Sequence, residues 1–293
     1  MNTSSDFLTQ LYVPHTASHK GQNGKLMIIG GSHLFHAASL WALQIASRVV
    51  DMVFYSSVAE NNLIVEELKK EFRNGIIVRR DDLEAYLEEA DAVLIGPGMV
   101  RTENRELRTE SRETRTLEEI NKLTDEGEQS YFLTKYLLEK YPHKKWIIDA
   151  GALQMMDPAW LLPLSGNAIV TPHVGEFERV FKLKPTADNA RSMAEKYHAI
   201  IVLKGEKDIV CSSKEYFETS GGNAGMTKGG TGDVLAGLIA ALATKNDLFL
   251  AARAGSYFNK KAGEALFEKV GYYFNASDLA DEIPHVMKHV FSI

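Results

Sequence analysis

Seven short apolar runs, each ending at glycine or a small polar residue, constrain this chain more than any other feature. They are Leu26–Ile29, Met52–Tyr55, Ile76–Val78, Ala92–Ile95, Trp146–Ile148, Ala168–Val170 and Ile200–Leu203. None alternates apolar with polar residues, so each reads as a strand buried on both faces, as in a mostly parallel sheet. Helical patterns lie between several of them, at Ala38–Val50, Tyr131–Tyr141 and Ala187–Tyr197. Strand and helix in alternation predict an α/β fold, a three-layer α/β/α sandwich around a mostly parallel central sheet. Asp208–Cys211 and Glu215–Thr219, joined by Ser212-Ser213-Lys214, read as a hairpin at one sheet edge. With 293 residues, 45% of them hydrophobic and 25% charged, the chain can bury a sizeable core. We expect one domain over 1–293, interrupted by a charged insertion at about 101–130. That segment is dense in Arg and Glu and nearly free of large apolar residues, so it reads as a solvated helix or a mobile excursion without catalytic role. An oligomer contact or a flap over the site is the sharper alternative.

In open sheets of this kind ligands bind beyond the carboxyl ends of the strands. Five predicted ends carry special residues: Gly30-Gly31-Ser32, Gly96-Pro97-Gly98, Asp149-Ala150-Gly151, Thr171–Glu176 and Lys204-Gly205. Five such clusters at corresponding ends predict one shared crevice. The chemistry is set by Gly221–Asp233, which runs straight into an apolar helical pattern that starts at Val234 and Leu235. A loop rich in glycine exposes successive backbone N–H groups, and joined to a helix N-terminus it forms a cradle for phosphate. A structural turn needs one or two glycines, whereas this loop has Gly225, Gly229, Gly230 and Gly232 together. Asp233 at its mouth would repel an anion unless it has a task, such as taking the proton of a hydroxyl that attacks phosphorus. We therefore expect Gly229, Gly230, Thr231 and Gly232 to form an anion hole, with Asp233 as the catalytic base.

Other residues group around that loop. His173 follows Pro172, which fixes the backbone, and precedes Gly175, which leaves room; it is expected to touch ligand as a donor or stacking surface. No His or Cys pairs with it at zinc-type spacing. Glu176 reads either as a helix-start residue paired with a cation or as a group orienting Mg²⁺-bound water. Asp149 reads equally as a cap or a ligand contact. Lys204-Gly205 lies close in sequence to the anion loop, which favours nucleotide phosphate over a plain turn. Lys228 either adds charge to the phosphate site or points to solvent. His36, Ala37 and Ala38 begin a helix where small side chains let a ligand approach.

Charge and composition exclude several classes. A net charge of -6 argues against nucleic-acid binding. No stretch is long and apolar enough to span a bilayer, and the polar start of the chain has no signal-type apolar region. The single cysteine, Cys211, excludes an internal disulfide and favours a reducing compartment. A cytoplasmic protein is expected.

Taken in order, these motifs resemble the ADP-dependent NAD(P)H-hydrate dehydratases of the ribokinase-like superfamily. The match begins at His19-Lys20-Gly21 with Gly24 and passes through Gly30-Gly31-Ser32, Gly96-Pro97-Gly98 and Asp149–Leu153. It continues through Thr171–Glu176 and Leu203-Lys204-Gly205 to the Gly222–Asp233 loop. The resemblance implies repair of hydrated NADH or NADPH. A donor, ADP or ATP, phosphorylates the ring hydroxyl, and the ring nitrogen then expels phosphate. It implies Ala37, Gly98, His173 and Asp233 around the hydrated cofactor, and Lys204, Gly205, Glu206, Lys207, Asp208 and Gly232 at the nucleotide. It also implies Mg²⁺, with protein ligands unassigned, and a homo-oligomer, a tetramer among the options. No companion epimerase domain is evident, since the match uses nearly all of the chain, and a separate epimerase is left as an open option for a partner. The chain departs from the family pattern at His36, Gly151, Ala224 and Asp208, where Gly, Asp, Pro and Thr are usual. The competing readings are a small-molecule kinase of the same superfamily, for a vitamin precursor or sugar, and a nucleotide sensor without turnover. The intact acid in the anion loop argues against the sensor.

Overall fold

The computed structural model describes residues 5–102 and 115–291. Nine strands form one sheet: β1 (Lys25–Ile29), β2 (Met52–Ser56), β3 (Ile76–Ile77), β4 (Ala92–Ile95), β5 (Lys145–Ile148), β6 (Ala168–Val170), β7 (Ile200–Leu203), β8 (Asp208–Cys211) and β9 (Tyr216–Thr219). Each predicted run is a strand with bounds within one residue. The order is β3-β2-β1-β4-β5-β6-β7-β8-β9, parallel as far as β7, with the predicted β8–β9 hairpin antiparallel at the edge.

Double-sided burial explains the unalternating sequence. Leu26 and Ile28 enter one hydrophobic cluster with the helices His36–Ala46, Thr231–Ala243, Leu248–Val270 and Ala276–Phe291. Met27 and Ile29 enter another, with Leu83–Glu89, Glu126–Lys140, Ala150–Met155, Val174–Phe181 and Ala187–Tyr197. Ala92 and Leu94 against Val93 and Ile95 repeat the division in β4. Period-two side chains on both faces thus meet helices, each large residue gaining roughly 1.5–3 kcal/mol from burial. The chain builds β1, β2 and β3 outward in one direction, then returns to place β4 on the other side of β1. That reversal opens a crevice at the carboxyl ends of β1 and β4.

Part of the charged segment departs from expectation. Its residues 103–114 lie outside the described residues. Beyond them Leu117–Asn121 and Glu126–Lys140 are helical, and Ile120, Gly127 and Ser130 are buried. Asp125 caps the second helix by accepting from the Glu128 amide at 2.7 Å. The helix predicted from Tyr131 therefore starts a turn earlier, on the polar residues Glu126–Ser130 that carry no apolar signal, and this end of the segment is packed. Cys211 is buried, and burial pushes its thiol up to about 12, which leaves it inert. No helix among the described residues is long and apolar enough to cross a membrane.

Candidate active site

The strand-end turns are stitched to one another through the backbone. Gly31 N donates to Pro97 O at 2.7 Å, Gly151 N to Gly96 O at 3.2 Å, and Lys204 N to Pro172 O at 2.8 Å. The expected shared crevice is thus a continuous rim along the ends of β1, β4, β5, β6 and β7. Gly98 lies against the start of the His36–Ala46 helix, where a Cβ would stand 2.6 Å from Phe35 O. Ala37 is exposed on that helix start.

Four charged side chains gather below this rim. Lys204 Nζ lies 2.9 Å from Asp149 Oδ1 and 3.8 Å from Glu176 Oε2. Thr171 Oγ1 also donates to Asp149 Oδ1, at 2.7 Å. Asp149 makes no side-chain cap bond to the helix after it, so its carboxylate serves the cluster and not the turn. Glu176 Oε1 accepts from Gln154 Nε2 and its Oε2 from His173 N, both at 2.9 Å. Lys204 Nζ comes within 3.5 Å of where a Cβ on Gly232 would sit, which places the ammonium under the start of the Thr231–Ala243 helix. Burial works against its charge, but Asp149, Glu176 and Asp233 together outweigh it and hold its pKa above the ordinary lysine value. The half-buried Asp233 shows the opposite balance. Burial first, then Asp149 and Glu176, push its carboxyl up to about 7, with Lys204 resisting. An acid with that pKa can hold or release a proton near neutrality, as a general base should.

The loop expected to hold an anion is open at two of its glycines. Gly230 caps the helix at φ 95°, and a Cβ there would stand 2.4 Å from the Trp41 ring. Gly225 likewise has no room for a Cβ, which would meet Phe274 at 2.6 Å. Packing accounts for part of the glycine run, so the number of glycines is weaker support for an anion site than the sequence alone suggests. Gly229 has nothing within 4 Å of a Cβ, and Gly232 has only the Lys204 ammonium near it. The N–H groups of Gly229, Gly230 and Gly232 donate to no acceptor among the described residues. Thr231 Oγ1 donates instead to Met226 O at 2.6 Å and Lys228 O at 2.9 Å, which fixes the loop shape. Lys228 neither supports the phosphate site nor points free: its ammonium donates to Tyr272 O and sits 5.2 Å from the Phe274 ring.

His173 has a structural task beside any contact with ligand. Its Nδ1 accepts from Gly175 N at 3.0 Å and Glu176 N at 3.3 Å, a capping box closed by Glu176. A ring nitrogen doing the work of a Ser or Asp cap gives no familiar signal. The remaining ring face and Nε2 are exposed, with Nε2 at 3.7 Å from Glu176 Oε2. In the 204–208 turn, Lys207 pairs with Glu218 at 2.8 Å. Asp208 is buried and accepts from Gly205 N at 3.0 Å and Ser256 Oγ at 2.8 Å, with Lys260 Nζ at 3.3 Å. Lys260 also donates to Gly205 O at 2.6 Å and Glu206 O at 2.9 Å. Gly205, Glu206 and Lys207 are therefore the exposed part of this turn, while the side chains of Lys204 and Asp208 face inward.

A sequence model of the NAD(P)H-hydrate dehydratase family matches residues 26–285. The chain belongs to this family. It is 36% identical over 279 residues to a bifunctional NAD(P)H-hydrate repair enzyme of Methanocaldococcus jannaschii, covering 92% of this chain and 49% of that enzyme. It is 30% identical over 308 residues to the ADP-dependent (S)-NAD(P)H-hydrate dehydratase of Nitrosopumilus maritimus, covering 98% and 96%. The chain thus spans about half the length of the bifunctional relatives and nearly all of the shorter one. A ribokinase-like superfamily protein of Enterococcus faecalis superimposes with a TM-score of 0.80 at 22% identity, covering 98% of this chain and 94% of that one. The ADP/ATP-dependent NAD(P)H-hydrate dehydratase of Bacillus subtilis, co-crystallised with ATP and Mg²⁺, gives 0.76 at 22% identity, covering 98% and 97%. The fold is ribokinase-like.

As a hydrate dehydratase family member, the chain accommodates its departures by local packing. His36 turns Nδ1 to Asn61 Oδ1 at 3.0 Å, and Asn61 in turn donates to Tyr55 OH at 2.7 Å. This buried polar group, completed by Ser39 Oγ at 2.7 Å from Tyr55 OH, supports the rim from below. Its members are spread from residue 36 to 61, so no local motif announces them. At Gly151 a Cβ would lie 2.1 Å from Met99 O, which leaves no space for the usual Asp. Asp208, in place of Thr, is neutralised by Lys260. Gln154 and Lys260 are the site-supporting residues that sequence reading missed, since helix interiors give no sign of such contacts. Nothing in the structure explains Ala224.

Proposed function

We propose that this chain dehydrates the (S)-hydrate of NADH or NADPH, using ADP or ATP to phosphorylate the ring hydroxyl. The observation that carries this reading is Asp233, held near pKa 7 beside N–H groups that lack acceptors among the described residues. Asp233 takes the hydroxyl proton as the hydroxyl oxygen bonds to the terminal phosphorus of the donor and the bond to the leaving phosphate breaks. The N–H groups around Gly229, Gly230 and Gly232 stabilise the charge on the transferred group, and Thr231 keeps them in shape. AMP leaves when ADP is the donor. The ring nitrogen lone pair then expels phosphate, and loss of a proton from the adjacent carbon restores the double bond. On this reading Ala37, Gly98 and the open face of His173 border the hydrated ring, and Gly232 and the Lys204–Asp208 turn border the nucleotide.

Among the described residues no three acidic, His or Cys side chains form a metal cage. Asp149 and Glu176 set two carboxylates against the single Lys204 ammonium, and the remaining negative charge fits a hydrated ion that arrives on the nucleotide. Those two carboxylates would hold Mg²⁺ through water, and the bound ion would neutralise phosphate charge. A cytoplasmic setting agrees with the single buried thiol. A homo-oligomeric state and a separate epimerase belong to the same proposal and rest on the family resemblance.

Incubation with hydrated NADH or NADPH, Mg²⁺ and each donor tests the reading. Recovery of the reduced-nicotinamide absorbance, with AMP formed from ADP, is the expected result. No recovery with any donor removes it, and a stable phosphorylated product would favour the kinase instead. Gly232→Ala separates fold from chemistry. Its backbone is ordinary and only a flexible lysine end lies near, so stability should stay within ~1 kcal/mol of the parent. The added methyl crowds the anion hole, and kcat should fall roughly 10²-fold. Equal kcat in thermal-melt-matched samples would show that no anion sits there.

A further inference from the structure

Asp149 and Thr171 are neighbours because of strand register. Ile148 of β5 lies opposite Val170 of β6, so the next residue along each strand, Asp149 and Thr171, leaves the sheet side by side. Thr171 N donates to Ile148 O at 3.2 Å and closes the pairing there. Both residues are buried. Asp149 Oδ1 receives two donors, Thr171 Oγ1 at 2.7 Å and Lys204 Nζ at 2.9 Å. Among the described residues nothing donates to Oδ2. One oxygen thus fixes the plane of the carboxylate, and the other keeps its lone pairs for a further donor or ion.

Glu176 is held in a similar way from a neighbouring helix. Gln154, on Ala150–Met155, donates Nε2 to Glu176 Oε1 at 2.9 Å, and His173 N donates to Oε2 at 2.9 Å. The direction of the Gln154 amide follows from a second partner. Arg101 Nη1 lies 3.0 Å from Gln154 Oε1, and a guanidinium only donates, so the amide oxygen faces Arg101 and the NH₂ faces the carboxylate. A hydroxyl and an amide therefore orient these two acids without adding charge. The acids keep two negative charges against the one ammonium of Lys204, and a cation in place of either donor would cancel the excess that attracts a divalent ion.

We propose that Thr171 and Gln154 are positioning residues, which aim Asp149 and Glu176 at the hydrated Mg²⁺ carried by the nucleotide. The proposal rests on the ion-holding role given above to those two carboxylates. Outer partners of this kind are worth roughly 10–100-fold in metal affinity.

Thr171→Val removes the hydroxyl and keeps the β-branched shape, and Thr171→Ser restores the hydroxyl. Mn²⁺, another ion that favours octahedral oxygen ligands, is titrated into the full chain with ADP bound and followed by water-proton relaxation. Calorimetry with ADP and a chelator measures metal-free binding alongside. Thr171→Val should bind Mn²⁺ roughly tenfold or more weakly than the parent, and Thr171→Ser should recover most of that loss. Metal-free ADP affinity should be the same in all three proteins. If Thr171→Val melts early, Gln154→Met takes its place in the titration, with the same loss expected. Mn²⁺ affinity equal to the parent's in the variant titrated overturns the proposal, and so does a loss that Thr171→Ser fails to recover. A parent that binds ADP but no Mn²⁺ overturns it together with the ion-holding role. A parent that binds both, loses Mn²⁺ affinity in the variant and still fails to act on hydrated cofactor supports the proposal and removes the dehydratase reading alone.

Discussion

Asp233→Asn should bind nucleotide as the parent does and lose roughly 10²–10⁴-fold in kcat, the usual worth of a positioned general base. In the parent, kcat/KM should rise with pH through about 7, as the carboxyl held there by burial and by Asp149 loses its proton. The same variant should be the more stable protein above neutrality. The folded chain favours the protonated acid, whose pKa is about 7 against an ordinary 3.8. Below pH ~4 both states are protonated and parent and variant are alike in this respect. Between pH ~4 and ~7 the unfolded parent ionises first, so its stability falls, and above ~7 the deficit is level. The full shift is worth ~4 kcal/mol, and solvent access to this half-buried carboxyl reduces the expected gap to roughly 2 kcal/mol. Thermal melts of both proteins from pH 4 to 8 give that gap directly. Parallel curves with unchanged kcat would remove Asp233 from the role of base.

Lys204→Met should have the largest effect on folding. It leaves Asp149 and Glu176, both buried, without their shared cation. Breaking a buried pair from one side destabilises by about 3–5 kcal/mol, because the remaining charge is neither solvated nor matched. For a chain of this length that lowers Tm by roughly 6–15 °C. Any activity left should need a higher pH than the parent's, since Lys204 is the group that opposes the upward shift of Asp233. The double variant Lys204→Met/Asp149→Asn should recover much of the stability, and the double-mutant cycle measures the pair. A Tm within a degree or two of the parent would mean that water, not Lys204, compensates these acids. Lys204 would then be free to act on the nucleotide as its sequence position suggested.

The contrast between these two residues shows how far the sequence could be read. The task proposed for Asp233 was legible because it depends on local order: glycines, then an acid, then an apolar helix. The strands were legible for the same kind of reason, since Leu26–Ile29 or Ala92–Ile95 admit little besides a strand covered on both faces. The direction in which a side chain points was not legible. Lys204, Asp208 and Lys228 all stand where a nucleotide-facing role is natural, yet their partners are Asp149 and Glu176, Lys260 and Ser256, and the Tyr272 carbonyl. His173 reads as a ligand group and also caps a helix. The packed end of the charged segment, around Ile120 and Gly127, escaped notice because its few apolar residues are set among charged ones and leave no extended periodic trace.

Sequence alone therefore determined the layered α/β class and the strands, and it marked the glycine loop with its acid as the candidate site, each of which follows from propensity and spacing within a few residues. Only the tertiary structure decided the proton affinity of that acid and the residues that set it. Asp149, Glu176 and Lys204 are 55 residues apart at their extremes and meet because β5, β6 and β7 end side by side. Charge interaction depends on distance and burial, and neither exists until the sheet has assembled.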